Sequence, residues 1–227
     1  MTQAIVIGAS GGIGAALVEA LTDEDIAVTA LARSFDGARH IDIESEDSIA
    51  AAAARITGAP DLIIVATGVL AVGGNTPEKS HRDLDPALLA RTIAVNAIGP
   101  ALVAKHFLPL MPKSGRSVFA ALSARVGSIG DNRLGGWYGY RAGKAALNQL
   151  IRTLAIEDKR RNDRGIVVAL HPGTVDTPLS KPFQTNVRPG SLFTPSRAAV
   201  QLLDVIDGLK APDSGRIFDW EGKEVAP

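Results

Sequence analysis

The segment Gly8-Ala9-Ser10-Gly11-Gly12-Ile13-Gly14 constrains the fold of this chain more than any other part of its sequence. It follows the β-branched run Ala4-Ile5-Val6-Ile7. It leads into Ala15, Ala16, Leu17, Val18 and Leu21, which are spaced for one apolar helix face. Strand, glycine turn and helix in that order form the first half of a βαβ unit. Glycine permits the tight turn and a close approach of backbone to ligand. The unpaired N–H groups at the helix start then favour an anion such as a pyrophosphate. Gly8, Ser10, Gly11, Gly12, Ile13 and Gly14 are therefore the expected phosphate cradle; a glycine turn with no ligand is the simpler reading of the motif alone.

The alternation continues to the end of the chain. Strand patterns are expected at Ile26–Leu31, more weakly at His40–Ile43, then at Asp61–Ala66, Ser117–Leu122, Ile166–Leu170 and Ile217–Phe218. Helical patterns fall at Asp47–Thr57, from the Asp85-Pro86 cap toward Leu108, at Trp137–Arg161 and at Arg197–Leu209. This order predicts an α/β fold: a Rossmann-type doubly wound parallel sheet with helices on both faces, in one domain over residues 1–227. Two stretches fit neither pattern, Val72–Asp83 and the proline-rich Thr177–Pro195; residues 177–195 are a candidate lid over the substrate.

Composition removes several function classes. The chain has no cysteine, which excludes a thiol nucleophile, a disulfide framework and a Cys-bound zinc. Lys plus Arg and Asp plus Glu both number 24, so no basic field is expected to hold nucleic acid or an anionic membrane. His40, His81, His106 and His171 have no metal-ligand spacing, and no metal is expected. No uninterrupted apolar run approaches the roughly 18 residues of a span, and no signal peptide is evident, so the expected location is the cytoplasm.

Three further features carry chemistry. Tyr140 and Lys144 stand at i and i+4, on the same helix face as Leu147, Ile151 and Leu154. A lysine among leucines is explained if it lowers the Tyr140 pKa from about 10 to make a proton donor or acceptor; a lysine snorkelling past a structural tyrosine is the alternative. Ser123 closes the Ser117–Leu122 strand near the same crevice. In the long helix, Pro100 supplies no N–H to the carbonyl of Asn96, which leaves that oxygen available to a polar network or merely kinks the helix.

These motifs in order resemble the short-chain dehydrogenase/reductase family along nearly the whole chain. The resemblance runs from the glycine turn through Ala66-Thr67-Gly68, Asn96, the strand-end serine and Tyr140/Lys144 to Pro172-Gly173. The segments Ser123–Ile129 and Gly136–Arg141 are similar to the C-factor and Sniffer-like branch, which includes carbonyl reductases. The resemblance implies an NAD(P)-dependent oxidoreductase moving hydride between a nicotinamide and a carbonyl or alcohol. Asn96, Ser123, Tyr140 and Lys144 would be catalytic. Lys144 and Tyr140 would also touch the cofactor, as would Asp42 and Ile43 near the adenine and Pro172, Gly173, Val175 and Thr177 near the nicotinamide. Counting three back from Gly127 lands on Ala124 rather than a serine, so Ser123, Ser128 or no residue fills the serine role. That departure keeps a non-turnover dinucleotide sensor as the alternative function.

The strand Ile26–Leu31 ends in Ala32-Arg33-Ser34, with no acid before Asp36. A guanidinium there suits a 2′-phosphate and a carboxylate does not, so NADP(H) is the expected cofactor, carried by Arg33 and Ser34, with NAD(H) possible. The expected partners are a small carbonyl or alcohol substrate, partly apolar, and further copies of the chain in a homodimer or homotetramer.

Overall fold

A computed structural model describes residues 1–227, except for the side chain of Asn186. The chain begins with β1 (Gln3–Ile7), α1 (Gly12–Asp23), β2 (Ala27–Leu31), α2 (Glu46–Ala53) and β3 (Leu62–Val65). A long helical run follows, made of α3 (Pro86–Ile93), a π turn over Ala94–Ile98 and α4 (Gly99–Phe107). Next come β4 (Ser117–Leu122), α5 (Tyr138–Asp158) and β5 (Gly165–His171). The chain ends with β6 (Thr174–Val175), β7 (Leu192–Phe193), α6 (Pro195–Gly208) and β8 (Ile217–Asp219).

Six strands form one parallel sheet in the order β2-β1-β3-β4-β5-β8. The chain winds outward from β1 to β2 and then returns past β1 to β3, so the winding reverses there and opens a crevice at the carboxyl ends. The strands are apolar in nearly every position because both faces are covered. Side chains of alternate residues enter opposite cores. Ile5, Ile63, Phe119 and Val167 pack with Phe107 of α4 and Ile151 of α5. Val6, Ile64, Val118 and Val168 pack with Leu17 of α1 and Leu202 of α6.

Three expectations change. His40–Ile43 is not a strand: only a bridge between Ala32 and His40 forms there. Asp42 turns the chain instead, its side chain accepting from the Glu44 N–H at 3.0 Å while its own N–H donates to Ser48 Oγ at 2.9 Å. Such local side-chain bonds compete with a ladder. The residues 86–110 are also longer and more apolar than a count of uninterrupted apolar residues suggests, a 25-residue helical run holding an 18-residue stretch with a mean hydropathy of 1.6. In the fold this helix lies against the sheet, burying Val95, Ala97, Val103 and Phe107. Finally, residues 177–195 are partly ordered by a 3₁₀ turn over Lys181–Asn186 and by the short parallel pairing of β6 with β7.

Candidate active site

The glycine turn makes the cradle its spacing predicts. Gly8 adopts a φ of +90°, which L side chains rarely tolerate. The N–H groups of Gly8 and Ala9 both reach the Leu31 carbonyl, at 2.8 and 3.1 Å, tying the turn to the end of β2. Gly11 is the N-cap of α1 and gives it no side-chain cap, so the first-turn N–H groups face the crevice without one. Gly14 is forced by packing: a Cβ there would lie 2.8 Å from the Gly8 carbonyl carbon and 3.1 Å from Ala9 Cα. Across the turn, Thr67 Oγ1 is buried with no hydrogen-bond partner. Open helix N–H groups and an orphaned hydroxyl fit a polar anionic ligand laid across this turn, which is what a dinucleotide pyrophosphate requires.

Tyr140 and Lys144 stand one turn apart near the start of α5, both buried. Lys144 Nζ donates to the Leu122 carbonyl at 2.8 Å, which fixes it at the mouth of β4. A Cβ on Gly68 would come within 3.3 Å of that ammonium and 3.0 Å of Asn96 Oδ1, so glycine keeps this corner open. Burial pushes Tyr140 up to about 12 and Lys144 down to about 7. The expectation that Lys144 lowers the tyrosine is therefore not met in the chain by itself. Nζ sits 5.8 Å from the ring centroid and points its hydrogen bond at Leu122 instead.

Asn96 is fully buried on the π turn, and its side chain works as a clamp. Its amide nitrogen donates to the carbonyls of Val69 at 2.8 Å and Thr92 at 2.9 Å, and its oxygen accepts from the Val69 N–H at 3.2 Å. The loop after β3 is thereby held against the helix. The π turn directs the Gly99 N–H to Ala94, and Pro100 has none to offer.

The serine question has a structural answer in part. Ser128 lies away from the crevice, donating to the Pro227 carbonyl at 3.3 Å and accepting from the Asp131 N–H. Ser123 lines the crevice but is buried, and its hydroxyl donates to Asn148 Oδ1 of α5 at 2.7 Å. Ala124 occupies the place three before Gly127.

Residues that sequence reasoning missed support this geometry. Trp137, with a φ of +53°, precedes α5 and takes the place of a capping residue. Glu78 substitutes for the cap, its carbonyl accepting from the Trp137 N–H and its carboxylate from the Gly139 N–H. Trp137 also packs on Phe183 with centroids 5.0 Å apart, forming an aromatic wall of a cavity of about 440 Å³. Pro172, Gly173, Val175 and Thr177 line the same cavity. A second cavity, joined to it at Gly11 and Ala66–Gly68, is bordered by Gly8, Ser10, Arg33, Ser34, Asp42 and Ile43. Glu44 enters it as well, an acid the spacing of the β2 end does not reveal. It takes the Arg91 guanidinium in two bonds of 2.8 and 3.2 Å, and Arg33 lies 3.5 Å from the same carboxylate. These bonds, together with the nearby positive charges, hold Glu44 below the usual carboxylate range.

Comparison with known proteins identifies the family. A family model described as short chain dehydrogenase matches residues 2–188. The C-signal of Myxococcus xanthus is 38% identical over 143 residues, 63% of this chain and 81% of that protein. The 1-hydroxy-2-glutathionyl-2-methyl-3-butene dehydrogenase of Rhodococcus sp. (strain AD45) is 33% identical, covering 98% of both chains. Among solved structures, the NADPH-bound carbonyl reductase from chicken fatty liver superposes with a TM-score of 0.84 at 25% identity, covering 100% of this chain and 94% of that one. The carbonyl reductase Sniffer of D. melanogaster gives 0.81 at 22% identity, covering 100% and 99%. With its glycine cradle, its Tyr–Lys helix and matches over most of its length, the chain belongs to the short chain dehydrogenase family.

Proposed function

We propose that the protein is an NADP(H)-dependent oxidoreductase interconverting a small carbonyl compound and its alcohol. The observation that carries this is the placement of Tyr140 and Lys144, buried together at the carboxyl edge of the sheet beside the glycine cradle. NADPH, when bound, would supply the hydride. Tyr140 is protonated at neutral pH and gives its O–H proton to the developing alkoxide. Lys144, anchored on Leu122, would replenish that proton and bind ribose hydroxyls. Asn96 keeps the loop after β3 in register with both. Gly8–Gly14 and Thr67 hold the pyrophosphate end, while Pro172, Gly173, Val175 and Thr177 border the nicotinamide end. Trp137, Phe183 and Leu179 give the substrate an aromatic and aliphatic wall, which suits a partly apolar carbonyl compound.

Arg33 and Ser34 support NADP(H) over NAD(H), and the NADPH-bound chicken reductase supports it independently. Glu44 is engaged by Arg91 and so is a poor partner for a ribose hydroxyl.

Tyr140→Phe tests the reaction, since it deletes only the hydroxyl. NADPH oxidation across an aldehyde, ketone and quinone panel should fall about 10²–10⁴-fold with NADPH binding kept within a few-fold. Wild-type turnover by this variant refutes the assignment. The serine departure favours one second function, a dinucleotide sensor without turnover. It predicts NADPH binding by the wild type with no oxidation on the whole panel.

A further inference from the structure

His171 ends β5, and the parallel register that sets Leu122 beside Leu170 makes it the neighbour of Ser123. Its ring meets Trp220 edge-on, with centroids 5.5 Å apart, and Trp220 in turn meets Phe193. This aromatic wall holds the imidazole in place beside the cavity that Tyr140, Ser123 and Ala124 also line. Yet Nδ1 is buried without a hydrogen-bond partner. An unpaired buried polar atom costs about 1–3 kcal/mol, so its retention at the crevice calls for a group that completes it.

The ring is also in the right chemical state to donate. Burial pushes its pKa down to about 4, opposed by the Asp219 carboxylate on β8 and reinforced by the Arg125 guanidinium after β4. At neutral pH it is a neutral imidazole with one N–H donor and one acceptor. The serine hydroxyls near the site are engaged elsewhere. Ser123 donates to Asn148, Ser128 to Pro227, and Ser180 to the Val175 carbonyl at 2.6 Å. Position 124, where family members place the hydroxyl that steadies the carbonyl, holds only a methyl group.

We propose that His171 donates to the substrate's carbonyl oxygen the hydrogen bond that a serine at position 124 would make. The proposal rests on the carbonyl–alcohol reaction above and adds the residue that orients its oxygen. The donor's natural replacement is therefore one strand away, at a position where a single substitution restores a hydroxyl.

The test is a double-mutant comparison of steady-state kinetics on an accepted carbonyl. His171→Ala should lower kcat/KM by about 10²–10³-fold, the range for removing one donor to a developing oxyanion, with the NADPH dissociation constant unchanged. Adding Ala124→Ser should return at least tenfold of that loss, a larger factor than the same substitution brings to the wild type, because neighbouring groups sharing one role are not additive. His171→Gln, which keeps a neutral donor, should retain more activity than His171→Ala and serves as the background where the alanine variant does not fold. A merely structural histidine would lower the melting temperature and would not be rescued by a serine. The proposal is overturned if His171→Ala turns over like wild type, or if Ala124→Ser helps both backgrounds equally. Wild type that binds NADPH but reduces no carbonyl overturns the reaction and this role together.

Discussion

Gly14→Ala probes whether the cradle and the packing of α1 are one device. The added methyl would lie 2.8 Å from the Gly8 carbonyl carbon and 3.1 Å from Ala9 Cα, all of it backbone. These atoms have little room to retreat, since the Gly8 and Ala9 N–H groups are bonded to Leu31 and the Gly11 N–H to Gly8. Helix α1 must therefore lift from the turn. Overpacking of this kind costs about 1–3 kcal/mol. At about 2–4 °C per kcal/mol for a chain of this size, the melting temperature should fall by roughly 2–12 °C.

Lifting α1 also withdraws its first-turn N–H groups from the pyrophosphate. Each charge-assisted bond lost is worth about 1.5–3 kcal/mol, so NADPH should bind at least tenfold more weakly. NADPH at about 100 times the wild-type dissociation constant adds about 2.7 kcal/mol of stability to the wild type, and tenfold weaker binding removes about half of that. Thermal melts with and without NADPH, with fluorescence titration of the cofactor, measure both terms. Gly208→Ala is the control: no atom lies within 4 Å of its added methyl, and the site is a helix end, so it should hold or raise stability. A Gly14→Ala protein that melts with the wild type and binds NADPH equally well refutes the close-packing account.

Three other outcomes are expected. Burial lowers Lys144 from 10.5 to about 7, so between those values the unfolded chain holds a proton that the folded chain has released; stability from this group is present above pH 10.5 and is lost as pH falls toward 7. Urea unfolding should show the wild type gaining about 2 kcal/mol on Lys144→Met between pH 7 and 9, and a constant difference refutes it. Glu44→Gln should tighten NADPH by about fivefold and leave NADH nearly unchanged, because a carboxylate bordering the cavity of Arg33 and Ser34 would repel a 2′-phosphate, and one such charge pair at about 4 Å is worth about 1 kcal/mol in water; equal effects on both cofactors, measured by fluorescence titration, would exclude Glu44 from that end of the site. Ile98 on the π turn and Ile156 on α5 are large, apolar and about half exposed, at 49% and 53%, and a dimer should cover them; light scattering that finds only monomer at tens of micromolar refutes this.

The sequence disclosed the parts of the fold that depend on local conformation. The glycine turn was legible because its tight geometry and close packing demand glycine in strand–turn–helix order. Pro100 drew attention to Asn96 through its backbone carbonyl, whereas the contacts of Asn96 in the fold are those of its side chain. The tertiary partners were not legible. Asn96 grips Val69 and Glu44 takes Arg91 across 27 and 47 residues of chain, separations that no local spacing reveals. His40–Ile43 misled because Ile41 and Ile43 alternate like a strand, whereas Asp42 between them makes its own turn. His171 carried no metal spacing and looked unremarkable in sequence; what distinguishes it is the strand register beside Ser123 and an unpartnered ring nitrogen.

The protonation states of the buried pair bear on the direction of the proposed reaction. A tyrosine at about 12 is a weak acid, but an alkoxide is a stronger base than a phenolate, so proton transfer to a newly reduced carbonyl runs downhill. The reverse reaction needs Tyr140 ionised to deprotonate an alcohol, and burial opposes that. Relief must come from a positive charge nearby, yet Lys144 is itself held near 7 by the same burial and spends its hydrogen bond on Leu122. In the chain by itself Tyr140 therefore keeps its proton at neutral pH, the form that the reductive direction of the proposed reaction uses.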